Sequence, residues 1–192
     1  MSTLRILIAD DEGLRLLSLR DQLYKLGHRV VGEANDGRLA VELARELKPD
    51  MAILDIIMPE MDGIEATRQI MNEHPLPIIL LSAYSQCDLA DRAAGAHAAA
   101  YLVKPVSDSD LLPAISLAIS RFKEFQALHQ EVDDLRETLE TRKMVERAKS
   151  IMMRRLHLSE EEAFRRLQLR SQNENRKMGD LAKAIVTADS ML

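Results

Sequence analysis

The sequence predicts an α/β domain on a five-stranded, parallel, doubly wound sheet, followed by a coiled-coil helix and a small all-α three-helix bundle. Three observations carry that prediction. Short aliphatic runs alternate with amphipathic stretches through the first 120 or so residues. The runs are continuously apolar rather than alternating, as strands covered on both faces require. From Pro113 to Gly179 there is neither glycine nor proline, so a helix leaves the α/β domain without a flexible linker.

Residues 4–9 form the first aliphatic run and end against Asp10-Asp11-Glu12. Leu14, Leu16, Leu17, Leu19, Leu23 and Leu26 then recur at helical spacing up to Gly27, a helix stop. Residues 30–34 are a strand, and 37–47 a helix closed by Pro49. Residues 51–54 are a strand ending at Asp55, followed by a helix over 63–73. Residues 78–81 are a strand ending at Ser82, followed by a helix over 85–94. Residues 99–103 are the fifth strand, ending at Lys104-Pro105, with a helix from about Ser107.

Phe125, Leu128, Val132, Leu135 and Leu139 are spaced 3, 4, 3, 4, an a/d seam of about two heptads. In that register Glu131 and Arg136 fall at g and e, where a parallel partner helix pairs them. The competing reading is one amphipathic helix packing on its own domain. Three helical pieces follow. Residues 142–156 place Val145, Ala148, Ile151 and Met152 on one face. Ser159-Glu160-Glu161-Glu162 is a capping box opening a helix with Ala163, Phe164 and Leu167 inward. A polar stretch over 171–175 leads to a last helix with Met178, Leu181, Ile185 and Val186 inward. The division is then 1–120, a linker helix over 121–140, and 141–192.

Composition excludes several classes. At 46% apolar the chain is not disordered, and no apolar run approaches the ~20 residues of a membrane span. The start runs straight into a strand, which leaves no room for a signal peptide. One cysteine, Cys87, excludes an internal disulfide and fits a reducing, cytoplasmic setting. The five histidines lack ligand spacing, so no zinc site is expected, and the ten methionines read as core filler. The net charge of −5 hides an asymmetry: residues 141–178 hold 11 Lys and Arg against 5 Asp and Glu. A basic segment on an acidic chain points to an anionic partner for that segment. The plainer alternative is a solvated helical face.

In an open parallel sheet, ligands bind beyond the carboxyl ends of the strands. Four strands deliver Asp10 and Asp11, Asp55, Ser82 and Lys104 to that edge. Clustered carboxylates repel unless a hard cation such as Mg²⁺ neutralises them, and one can then act as nucleophile toward a phosphoryl group. These residues, within Ile8-Ala9-Asp10-Asp11-Glu12, Asp55 through Gly63, Leu81-Ser82-Ala83 and Tyr101-Leu102-Val103-Lys104-Pro105, resemble the flavodoxin-like receiver domain of two-component response regulators. The resemblance implies that Asp55 accepts a phosphoryl group from a sensor histidine kinase. It implies that Asp11, Asp55 and the Ile57 carbonyl hold Mg²⁺, with Asp10 reaching it through water. Lys104 would pair with the phosphoryl group beside a cis Lys104-Pro105 bond. Ser82 would move onto the phosphoryl oxygen, letting Tyr101 turn inward.

The tail, from Glu140 to Met153, then Ser159 to Leu167 and Met178 to Ala182, resembles the ANTAR domain of transcription antiterminators. That implies binding of paired RNA hairpins in a transcript leader, with dimerisation on activation. Ser171 to Lys177 departs from the arginine-rich run common in the family. RNA hairpins are held through phosphates by Lys and Arg, and through splayed loop bases. Arg147 and Lys149 are the first candidates, then Arg165 and Arg166, with Arg154 and Arg176 also available. With Phe164 at a core-like position, no aromatic is left to stack on a base. Two other outputs compete. A DNA-binding output is disfavoured because no helix-turn-helix pair with a tight glycine turn is present. A protein-interaction module would place the basic face against an acidic partner. The tail has no nucleophile–base pair or metal cluster, so no enzyme activity is expected beyond the receiver's own phosphoryl acceptance and slow loss.

Overall fold

The computed structural model describes residues 3–83 and 98–189. The expected helix over 85–94 and Cys87 lie outside them. The chain divides into two compact units, Met1–Gln126 and Ala127–Leu192.

In the first unit the elements are β1 (Arg5–Ala9), α1 (Gly13–Lys25), β2 (Arg29–Ala34), α2 (Gly37–Leu47), β3 (Met51–Asp55), α3 (Gly63–Glu73), β4 (Ile78–Ser82) and β5 (Ala100–Val103). All strand pairs are parallel, in the order β2-β1-β3-β4-β5. Side chains alternate across a strand, so each strand feeds two cores. Leu7, Ala9, Leu54 and Leu80 pack with Ala40, Val41, Ile64 and Ile70 of α2 and α3. Ile6, Ile8, Ile53 and Ile79 pack on the other face with Leu16, Leu19 and Leu23 of α1 and with Leu111 and Ile115. That double cover explains why the central positions of β1, β3 and β4 are continuously apolar.

The helices begin where side chains can satisfy free N–H groups. Asp36 accepts the Leu39 N–H at 2.8 Å and Asp62 the Glu65 N–H at 2.7 Å. Gly27, at φ 83°, ends the turn after α1. Gly63 has a different role. A Cβ there would lie 2.0 Å from the Asp55 carbonyl oxygen, while its own N–H donates to the Ile56 carbonyl at 2.9 Å. A residue without a side chain is therefore what lets α3 start against the end of β3.

Helix α4 (Asp108–Leu156) runs for 49 residues, so the linker helix and the first piece of the tail are one element. The seam residues Leu128, Val132, Leu135 and Leu139 are between 45% and 63% exposed. Phe125 instead packs against the first unit's core and stacks on Phe122 with centroids 6.2 Å apart. The second unit adds α5 (Glu160–Glu174) and α6 (Met178–Asp189). Its core joins Val145, Ala148 and Met152 to Ala163, Leu167, Leu181 and Ala182. The capping box at Ser159 is formed in both directions. Two expectations are corrected. The polar stretch from Ser171 is helical through Glu174, held by an Arg170–Glu174 ion pair at 2.7 Å, and Asn175 is the left-handed cap. Phe164 does not face inward: it is 42% exposed, and Ala163 and Leu167 occupy the core positions.

Replacing Gly63 with Ala is expected to destabilise the first unit by about 1–3 kcal/mol through this overpacking, read as a lowered urea midpoint. An unchanged midpoint would contradict the close approach. His28 gives a second expectation. It is buried, its Nδ1 accepts the Leu4 N–H at 3.4 Å, and its Nε2 has no partner among the described residues. Burial holds its pKa below the ordinary 6.5. The folded state therefore favours the neutral ring: the stabilisation is full above 6.5 and is lost as pH falls below it. The urea midpoint is expected to drop between pH 7.5 and 5.5, and to drop less in His28→Leu; equal drops would contradict it.

Candidate functional site

The strand order places the ends of β1 and β3 side by side, with β4 and β5 next to them. The polar groups expected there converge. Asp10 follows β1, with its N–H donating to the Ala34 carbonyl at 3.1 Å and its Oδ1 accepting the Glu12 N–H at 3.0 Å. Asp55 closes β3, and Asp10 and Asp55 are buried while Asp11 is exposed. One oxygen from each of the three carboxylates lies within 4.8 Å of the others.

Lys104 balances this cluster. Its N–H donates to the Ser82 carbonyl at 2.8 Å, which fixes the backbone beyond β5. Its Nζ reaches Asp10 Oδ2 at 2.6 Å and Asp55 Oδ2 at 2.7 Å. The following Lys104-Pro105 bond is cis. Burial pushes the Asp55 carboxyl above its ordinary value, and the Lys104 ammonium pulls it back down. Three carboxylates against one ammonium leave net negative charge in a site of hard oxygen donors, the chemistry that takes Mg²⁺. The Ile57 carbonyl, the fourth expected ligand, belongs to the loop directly after β3, where the Ile57 side chain is exposed.

The remaining expected residues sit nearby in the fold. Ser82 is buried at the end of β4. Tyr101 is half-buried in β5, two residues before its end, against the core shared with α2 and α3. Sequence reasoning passed over Arg15. It stands in the first turn of α1, 3.7 Å from Asp10 and 2.7 Å from Glu12. With Lys104 and Pro105 it lines a cleft of about 370 Å³ beside the carboxylates. Its signal in the sequence was its place five residues after Asp10, just inside a helix start.

The basic candidates of the second unit divide by environment. Lys149 is buried, and its Nζ bonds Glu160 at 2.7 Å and Glu146 at 2.9 Å. Those carboxylates, Glu160 first, raise its pKa. Arg154 and Arg155 both pair with Asp189, and Arg176 with Glu174. Arg147, Arg165 and Arg166 are exposed, and none forms an ion pair with another described residue.

Comparison with known proteins follows the same division. Residues 6–116 match the response regulator receiver domain, and residues 133–186 match the ANTAR domain. The transcriptional regulatory protein PdtaR of Mycobacterium tuberculosis is 47% identical over 182 residues, covering 95% of this chain and 89% of that protein. Among solved structures, the receiver domain of a modulated diguanylate cyclase from Desulfovibrio desulfuricans is 33% identical with a TM-score of 0.59, covering 64% of this chain and 98% of that one. CheY of Borrelia burgdorferi, in a complex with CheX, BeF₃ and Mg²⁺, is 28% identical with a TM-score of 0.55, covering 58% and 85%. The chain belongs to the response regulators that carry a receiver domain followed by an ANTAR domain.

Proposed function

We propose that this chain is a cytoplasmic, phosphorylation-controlled regulator that binds hairpin RNA in transcript leaders and causes antitermination. The observation that carries the reading is the intact pocket of Asp10, Asp11, Asp55 and Lys104 on the same chain as an ANTAR unit. Asp11, Asp55 and the Ile57 carbonyl would hold Mg²⁺, with Asp10 reaching it through water. The ion supplies charge that offsets the carboxylates and a position for a phosphoryl oxygen.

A carboxylate oxygen of Asp55 attacks the phosphorus of a phosphohistidine on the sensor kinase. The new P–O bond forms as the P–N bond breaks, and the imidazole leaves with the electron pair. Lys104 is already bonded to Asp55, so its ammonium is in place to pair with the added phosphoryl oxygens. Ser82 donates to one of them, and Tyr101 moves inward behind it. The exposed seam of Leu128, Val132, Leu135 and Leu139 then pairs with a second copy, and two ANTAR units grip two hairpins. Within each unit, Arg147, Arg165 and Arg166 are exposed cations available to phosphates.

The first test is phosphoryl transfer from a labelled small-molecule donor with Mg²⁺. The wild type is expected to take up label, and Asp55→Asn none, with an unchanged unfolding transition. Label on Asp55→Asn would place the acceptor elsewhere. The second test is selection from a hairpin RNA library with randomised loops. Enrichment is expected, and its absence would leave the protein-interaction output.

A further inference from the structure

We infer that Phe164 is a stacking platform for an unpaired nucleobase of the bound RNA. The inference rests on the RNA-binding reading above and assigns it a base contact. Phe164 is the single Phe, Tyr or Trp of residues 127–192. The core of this small unit is otherwise aliphatic, built from Val, Ala, Met and Leu. Burying an aromatic ring is among the largest stabilising moves open to so thin a bundle. Instead the ring stays 42% exposed, while Ala163 beside it and Leu167 below it are buried.

The ring is also held. The Lys149 ammonium lies over it, 6.0 Å from its centroid. That ammonium is fixed in turn by Glu160, one turn before Phe164 on α5, and by Glu146 on α4. Two carboxylates at hydrogen-bond distance withdraw Lys149 from phosphate binding and make it a positioning residue for the ring. A rigid aromatic with a fixed neighbour loses little freedom on binding. Arg165 and Arg166, exposed and without ion pairs to described residues, follow the ring directly in the chain. A π-face with cations beside it matches single-stranded loops, whose splayed bases stack on aromatic planes while Arg and Lys take the backbone.

The test uses the full-length protein and a hairpin RNA selected against it from a randomised-loop library, with 2-aminopurine substituted through the loop. Phe164→Leu keeps an apolar side chain at that position and removes the π-face; Phe164→Tyr keeps both. The Leu variant is expected to bind roughly 5- to 100-fold more weakly, with the Tyr variant near wild type. The slope of log affinity against log salt is expected to stay constant, since no phosphate contact is lost. Quenching at one 2-aminopurine position is expected to disappear in the Leu variant. Wild-type affinity and quenching in Phe164→Leu, with RNA still bound, overturns the stacking role alone. A library that yields no binder overturns the RNA reading and the stacking role with it.

Discussion

The first unit is organised around one electrostatic constraint: three carboxylates brought to one sheet edge with a single ammonium between two of them. Each parallel strand ends at the same edge, so Asp10, Asp55, Ser82 and Lys104 arrive together because the strands are in register. The double-sided core fixes those strands, and Gly63 fixes the loop beyond β3. The Lys104 bridge between Asp10 and Asp55 offsets part of the repulsion and leaves the remainder for a hard cation. A change in charge at Asp55 is therefore felt first at Lys104. The Lys104 backbone is tied to Ser82 at the end of the neighbouring strand.

The second unit repeats the arrangement with opposite sign of purpose. There a buried lysine is shared by two exposed glutamates, and what it supports is a ring at the surface rather than a reacting carboxylate. Among the cations left for an anionic partner are Arg147 on α4 and Arg165 and Arg166 on α5. The basic balance of residues 141–178 thus overstates the charge available to RNA, because Lys149, Arg154, Arg155, Arg170 and Arg176 are already paired within the unit.

Much of the fold was legible because its signals are local. Helices α2 and α3 run over 37–47 and 63–73, the ranges expected from the sequence. The strand ends carried the polar residues of the candidate site directly. What escaped depends on packing between helices. Ala163 and Phe164 are neighbours about 100° apart on a helix, and sequence alone does not say which of them faces α4. The pair Ala163 and Leu167, four apart, wins because it continues the stripe that α4 and α6 cover. Lys149 is similar: it adjoins the buried Ala148, and Glu160 arriving from α5 joins Glu146 of its own helix in making its burial tolerable. The helical turn at Ser171–Glu174 was hidden by composition, since its support is an ion pair within the turn and the bond from Ser171 Oγ to the Arg176 carbonyl at 2.6 Å.

On the proposed function, charge at Asp55 controls RNA binding through assembly. That control is tested most directly by measuring affinity for a tandem two-hairpin RNA and molecular mass together, with and without a phosphoryl donor plus Mg²⁺. The donor is expected to tighten binding and to convert monomer to dimer in the same concentration range, with neither change in Asp55→Asn. RNA affinity and mass that ignore the donor in the wild type would contradict it.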